Sequence, residues 1–154
     1  MNITQRIATL DDATILLNWR NNKSTREFSR QSEKIGPDEH IEWLIARLKR
    51  VHSEPFYLFD TEFKAIGMSR LDAISESPGK YEISILVEPD QHGKGVGTTI
   101  LSLTCESFFT LYPNYAIVAY INPDNYISQK LFTSAGFELM PPLGKFLHFE
   151  KTLN

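Results

Sequence analysis

Three glycines at alternate positions, Gly93, Gly95 and Gly97, follow a β-forming run and precede an apolar helical stretch, in the order Glu82-Ile-Ser-Ile-Leu-Val-Glu-Pro-Asp-Gln-His-Gly-Lys-Gly-Val-Gly97. Such a stretch can hold a phosphate. Glycine admits positive φ and lets the backbone approach a ligand without Cβ interference. The helix expected over Thr98 to Phe109 begins with N–H groups that have no internal partner, and its dipole favours an anion there. The spacing excludes two common nucleotide loops. A P-loop needs Ser or Thr after its Lys, whereas Lys94 is followed by Gly95, and a dinucleotide loop needs Gly-x-Gly-x-x-Gly. The bland alternative is a glycine-rich turn before an ordinary helix.

Other chemistry is thinly represented. His40, His52, His92 and His148 lack the spacing of zinc ligands, so no metal is expected. The single cysteine, Cys105, excludes an internal disulfide, suits a reducing compartment and reads as core filler within an apolar helix. A net charge of −3 and the lack of a Lys/Arg run argue against nucleic acid or an anionic membrane as partner. Arg47, Lys49 and Arg50 read as the solvated end of a helix. No apolar run approaches the roughly 18 residues of a membrane span, and Met1 to Arg6 lacks a signal-peptide layout, so a cytoplasmic protein is expected.

The elements that must position the loop follow one another with short connections, as one domain over residues 1–154. Ile3 to Ala8 is an expected strand, and Thr9-Leu-Asp-Asp12 has capping-box spacing before a helix reaching about Asn21. A polar segment from Asn22 to Gly36 carries no assignment. Pro37-Asp-Glu39 opens a second helix with an apolar stripe of Ile41, Leu44, Ile45 and Leu48. Phe56 to Asp60, Ala65 to Ala73 and Tyr81 to Val87 read as an antiparallel meander. After the glycine loop and its helix come a strand at Tyr115 to Ile121 and a helix from Asn125 to Gly136 with Ile127, Leu131, Phe132 and Ala135 on its apolar face. Phe137 to Met140 and Lys145 to Lys151 complete the sheet. The fold class is α+β, a mixed sheet of six to seven strands with about four helices.

With these placements, His92-Gly-Lys-Gly-Val-Gly97 after a strand ending at Val87 resembles the acyl-CoA pyrophosphate loop of the GNAT acetyltransferase superfamily, Gln/Arg-x-x-Gly-x-Gly/Ala, with His92 at the Gln/Arg position. Asn125-x-x-Ser128-x-x-Leu131-Phe132-x-x-x-Gly136-Phe137 resembles the family's Asn-x-x-Ala/Ser-x-x-Leu-Tyr-x-x-x-Gly-Phe, which packs beside the pantetheine arm. The resemblance implies acetyl-CoA as co-substrate. It would be held by Leu86, Val87, His92, Gly93, Lys94, Gly95, Val96, Gly97, Thr98, Asn125, Ser128 and Phe132, with two strands splayed so that pantetheine pairs with the edge of Leu86 and Val87. More narrowly, Trp19-Arg20-Asn21, then Arg26 or Arg30, then Glu39-His40-x-x-Trp43 is similar to the amino-sugar N-acetyltransferases of the pseudaminic-acid pathway. That similarity makes Trp19, Arg20, Asn21, Arg30 and His40 the expected substrate contacts, since Arg forks onto phosphate oxygens and indole covers apolar faces. The alternatives are core packing for Trp19 and Trp43 and a solvated first-turn His40.

An N-acetyltransferase implied in this way needs a base for the amine, a donor for the oxyanion and a proton for the sulfur. Glu82 is the expected base, against the alternative of a solvated or ion-paired carboxylate, and the Val87 N–H the expected oxyanion donor. The family's usual Tyr acid is Phe132 here, with Tyr126, Tyr120 and Ser128 as substitutes. The expected acceptor is a small-molecule amine, first of all on a nucleotide-linked amino sugar. Alternatives are a protein amino terminus, as for ribosomal-protein acetyltransferases, and a non-catalytic acyl-CoA-binding module. A homodimer is left open.

Overall fold

The computed structural model describes the backbone of residues 1–154 and every side chain except that of Leu143. Seven strands, β1 (Thr4–Ile7), β2 (Phe56–Asp60), β3 (Ala65–Ala73), β4 (Lys80–Val87), β5 (Ala116–Ile121), β6 (Glu138–Leu143) and β7 (Phe146–Lys151), form one sheet in the order β1-β2-β3-β4-β5-β7-β6. Neighbours are antiparallel except β4 and β5, which run parallel. That parallel pair is short. Only Lys80, Tyr81 and Glu82 face Ala116, Ile117 and Val118. Beyond them β4 stays on β3 as far as Val87, opposite Gly67, and β5 stays on β7 as far as Ile121, opposite Leu147. Each strand keeps its outer neighbour, so the two diverge and a cleft opens at their C-terminal ends.

Helices α1 (Ala13–Asn21) and α3 (Pro37–Leu48) cover one face of the sheet, where Leu16, Trp19 and Leu44 pack on Phe56, Leu58 and Met68. Helices α4 (Val96–Leu111) and α5 (Tyr126–Ser134) cover the other, where Leu101, Phe108 and Phe132 pack on Ile83, Ile117 and Phe149. Each fully buried side chain of this size contributes about 1.5–3 kcal/mol. Cys105 lies in the second core, and burial pushes its thiol up to about 11, in keeping with a filler.

A fifth helix, α2 (Lys23–Phe28), occupies the unassigned polar segment. It buries no residue, so periodicity carries no trace of it; Asn22 starts it by accepting the Ser24 N–H at 3.0 Å. Helix α3 is rotated from the expected stripe: His40, Leu44 and Arg47 face inward while Ile41 and Ile45 are exposed. Arg47, expected in solvent, is only 1% exposed. Its Nε donates to Asp72 at 2.7 Å, and its terminal nitrogens donate to the carbonyls of Glu54 at 2.6 Å, Pro55 at 3.3 Å and Leu71 at 3.0 Å. A guanidinium so fully paired can be buried, and it ties α3 to the sheet. On α5, Ile127 also departs from the expected face and is exposed, five residues before the buried Phe132.

Candidate active site

The glycine loop closes one end of the cleft. Gly93 and Gly95 have φ of +79° and +78°, a region that side chains disfavour, and Gly95 is the residue from which α4 starts. Val96 drives its side chain into a core of Phe59, Ile66 and Ile100, which fixes the helix end against the sheet. The loop's own bonds stop at His92 N–H to Pro89 O (3.3 Å) and resume at Thr99 N–H to Gly95 O (3.2 Å). Among the described residues, no N–H from Gly93 to Thr98 donates to a protein acceptor. Lys94 and Thr98 are exposed beside these free donors. The arrangement fits a diphosphate.

The cleft wall is the edge of β4. Glu88 N–H donates to Ile66 O at 2.8 Å, so by antiparallel alternation Leu86 also turns its backbone groups to β3, while Ile85 and Val87 turn theirs toward the opening. The free edge is therefore Ile85 and Val87 rather than Leu86 and Val87, and the Leu86 side chain packs against the α1/α3 core. The His92 ring folds back, its Nε2–H donating to the Val87 carbonyl at 3.1 Å and leaving the Val87 N–H facing the cleft.

On β4, Glu82 shares its face with Ser84 and Leu86, opposite Asp72 of β3 and Val118 of β5, at the point where the strands part. Its carboxylate pairs with Arg30, whose guanidinium lies over the Tyr120 ring at 5.4 Å. Burial raises the Glu82 carboxyl above the usual glutamate value, and the charges of Arg30 and Arg70 act against that rise. Tyr120 faces His148 across β7 with ring centres 5.3 Å apart. His148 Nε2 lies 2.9 Å from Glu150 Oε2 but off the hydrogen-bonding direction, leaving that nitrogen buried without a partner.

The Trp19-Arg20-Asn21 motif sits behind this face and builds it. Trp19 is 2% exposed, and its Nε1–H donates to Glu88 at 2.6 Å, joining α1 to the start of the glycine loop. Asn21 exchanges two 2.8 Å bonds with the backbone of Ile35, and Arg26 donates to Asn21 O at 3.0 Å and Ser32 O at 3.3 Å. These bonds fix the segment that carries Arg30. His40 is buried with Nε2 3.0 Å from Ala13 O and stacks on Trp43, whose exposed ring also lies under Arg70. The substrate contacts expected of Trp19, Asn21 and His40 thus become positioning contacts, because their polar atoms are spent within the protein. Of that set, Arg30 reaches Glu82, while Arg20 Nη2 donates to Gln31 O at 3.3 Å. The sequence reading missed Arg70 and Asp72, which belong to a different strand.

On the far side of the cleft, Asn125 caps α5 by accepting the Ser128 N–H at 3.1 Å. Phe132 is buried edge-to-face on Phe137, ring centres 4.9 Å apart. Tyr126 is exposed at the start of α5.

Comparison with known proteins places this architecture. The family model described as acetyltransferase (GNAT) domain matches residues 3–138. No curated protein matches the sequence. Among solved structures, a ribosomal-protein-alanine N-acetyltransferase from Brucella melitensis is 21% identical, with a TM-score of 0.80 over 97% of this chain and 99% of its own. Aminoglycoside acetyltransferase AAC(6')-Ib, in complex with ribostamycin and coenzyme A, is 21% identical with a TM-score of 0.85, covering 99% of this chain and 94% of its own. An N-acetyltransferase from Staphylococcus aureus Mu50 is 22% identical with a TM-score of 0.78 and full coverage, 100% of both chains. At these identities the likeness is one of fold. Among the described residues, no helix is long and apolar enough to cross a membrane. The strand splay, the free donors of the glycine loop and a family match over most of the chain agree: it belongs to the GNAT acetyltransferase family and is an acetyl-CoA-dependent N-acetyltransferase of that type.

Proposed function

We propose that this single-domain enzyme acts in the cytoplasm on a primary amine carried by a nucleotide-linked amino sugar. The observation that supports this acceptor is the arginine-bearing face around Glu82, where Arg30 pairs with the carboxylate and Arg70, bonded to Asp72, lies nearby. A peptide amino terminus calls for an open acidic groove, whereas the carboxylates of this face, Glu82 and Asp72, are each paired with an arginine.

Acetyl-CoA supplies an activated acetyl thioester. The residues present suit it: the N–H groups from Gly93 to Thr98 receive the diphosphate, the edge of Ile85 and Val87 pairs with the pantetheine amides, and Asn125, Ser128 and Phe132 line the opposite wall. Lys94 adds positive charge at the loop. The Val87 N–H serves as oxyanion donor, and loss of one such donor costs about 10²–10³ in rate. Glu82 takes the amine proton, directly or through a water, and its burial brings its proton affinity closer to the working pH. For the sulfur, Phe132 has no hydroxyl to offer. Tyr120 has one and borders the Arg30–Glu82 pair, so we assign it the proton transfer. Transfer is direct within a ternary complex, with no acyl-enzyme.

Thiol release from acetyl-CoA, measured with nucleotide-linked amino sugars and with N-terminal peptides, tests the reading. Turnover on the sugars is expected. Turnover on peptides alone overturns the acceptor class, and a kinetically competent acetylated protein overturns direct transfer.

A further inference from the structure

Arg20 reaches from the last turn of α1 toward the sheet. Its Nη2 donates to Gln31 O at 3.3 Å, while Nη1 is buried with no partner among the described residues. Arg70, on the same sheet face, lays its guanidinium over Trp43 at 5.0 Å and donates from Nε to Asp72 at 2.9 Å. Its two terminal nitrogens donate to no protein group among the described residues. The two cations are close enough that burial and then the Arg70 charge lower the proton affinity of Arg20. Elsewhere this protein treats a buried guanidinium differently: every nitrogen of Arg47 has an acceptor. A buried donor left unpaired beside a second cation is costly unless a ligand supplies the anion.

We propose that Arg20 Nη1 and the terminal nitrogens of Arg70 form a second anion site, distinct from the glycine loop, that holds a phosphate group of the acceptor. The inference rests on the acceptor face proposed above. Arg70 stands opposite Ser84 on the sheet face that carries Glu82, and its Nε bond to Asp72 turns the guanidinium toward the residue opposite Glu82. An acceptor whose amine is held at Glu82 can thus present a phosphate to Arg70. Trp43, exposed beside Arg70, offers its ring edge to the sugar or the base beyond. The site therefore favours an acceptor that carries a phosphate, and it discriminates against uncharged amino sugars.

The test uses the full-length protein saturated with CoA, so that the glycine loop is occupied, and titrates inorganic pyrophosphate by calorimetry. Saturable binding is expected, weakened at least ~10-fold by Arg20→Gln and by Arg70→Gln, with CoA affinity unchanged. A readout that needs no variant is the side-chain Nε–H resonances of Arg20 and Arg70 in the wild-type protein, which shift on pyrophosphate addition. No saturable binding to the CoA-loaded wild type, unmoved arginine resonances, or wild-type affinity in both variants overturns the proposal. If pyrophosphate binds and the arginine variants lose it while no nucleotide-linked amino sugar is turned over, the anion site stands and the acceptor assignment falls.

Discussion

Gly95→Val separates the cofactor role proposed for the glycine loop from its structural one. Gly95 has φ of +78° and no heavy atom within 4 Å of where a Cβ would sit, so valine meets backbone strain there and no clash inside the protein. A side chain in the left-handed region costs about 1–2 kcal/mol, which for a domain of this size lowers Tm by roughly 2–8 °C. The fold survives. The added side chain and the relaxed backbone displace the free N–H groups between Gly93 and Thr98. Losing two charge-assisted bonds to a diphosphate, at about 1.5–3 kcal/mol each, weakens CoA roughly 10²–10⁴-fold. Gly144 is the control: its φ is +70°, it too has nothing within 4 Å, and it lies in the β6–β7 turn. Calorimetry with CoA on both variants, alongside thermal melts, decides the matter. Wild-type affinity in Gly95→Val, or equal weakening in Gly144→Val, refutes the loop as the diphosphate site.

Glu82→Gln is expected to lower kcat/KM about 10²–10⁴-fold with CoA affinity retained, and an unchanged rate in the thiol-release assay removes Glu82 as base. The base must be ionised, and burial raises its carboxyl, so the acid limb of kcat/KM lies above the ordinary glutamate range. Arg30→Gln removes a charge that favours the ionised form and moves that limb to still higher pH; a limb that stays or moves down contradicts the Arg30–Glu82 pairing. Arg47→Ala leaves Asp72 and the carbonyls of Glu54, Pro55 and Leu71 without their donor, and should cost about 3–5 kcal/mol, or roughly 6–20 °C in a thermal melt. Trp19→Phe keeps the packing but strands the Glu88 carboxylate, for a loss of about 1.5–3 kcal/mol in denaturant unfolding; no loss would mean that the indole bond joining α1 to the loop is idle.

The parts of this protein that could be read from the chain are those whose cause is local. Gly93 and Gly95 announce a loop because positive φ belongs to a single residue. The strand before them and the helix after them show in apolar runs of the right length, and Glu82 shares a face with Ser84 and Leu86 because side chains alternate along any strand. Asn125 and Gly136 bracket α5 for equally local reasons of capping.

Other features depend on partners distant in sequence. Helix α3 turns Arg47 inward and Ile45 outward because Asp72 and three carbonyls wait 7 to 25 residues away, and no window along the helix contains them. The Trp19-Arg20-Asn21 motif reads as a platform for substrate, yet Glu88 takes up Trp19 and ties α1 to the glycine loop, while Ile35 takes up Asn21 and supports the segment that delivers Arg30. Which backbone groups of β4 lie open follows from its register with β3, which moves the edge from Leu86 to Ile85. Local preference alone thus determined the glycine loop, the order of elements and the face that Glu82 occupies. Tertiary structure decided which arginines meet that face, because a charge is positioned by whichever distant groups neutralise it.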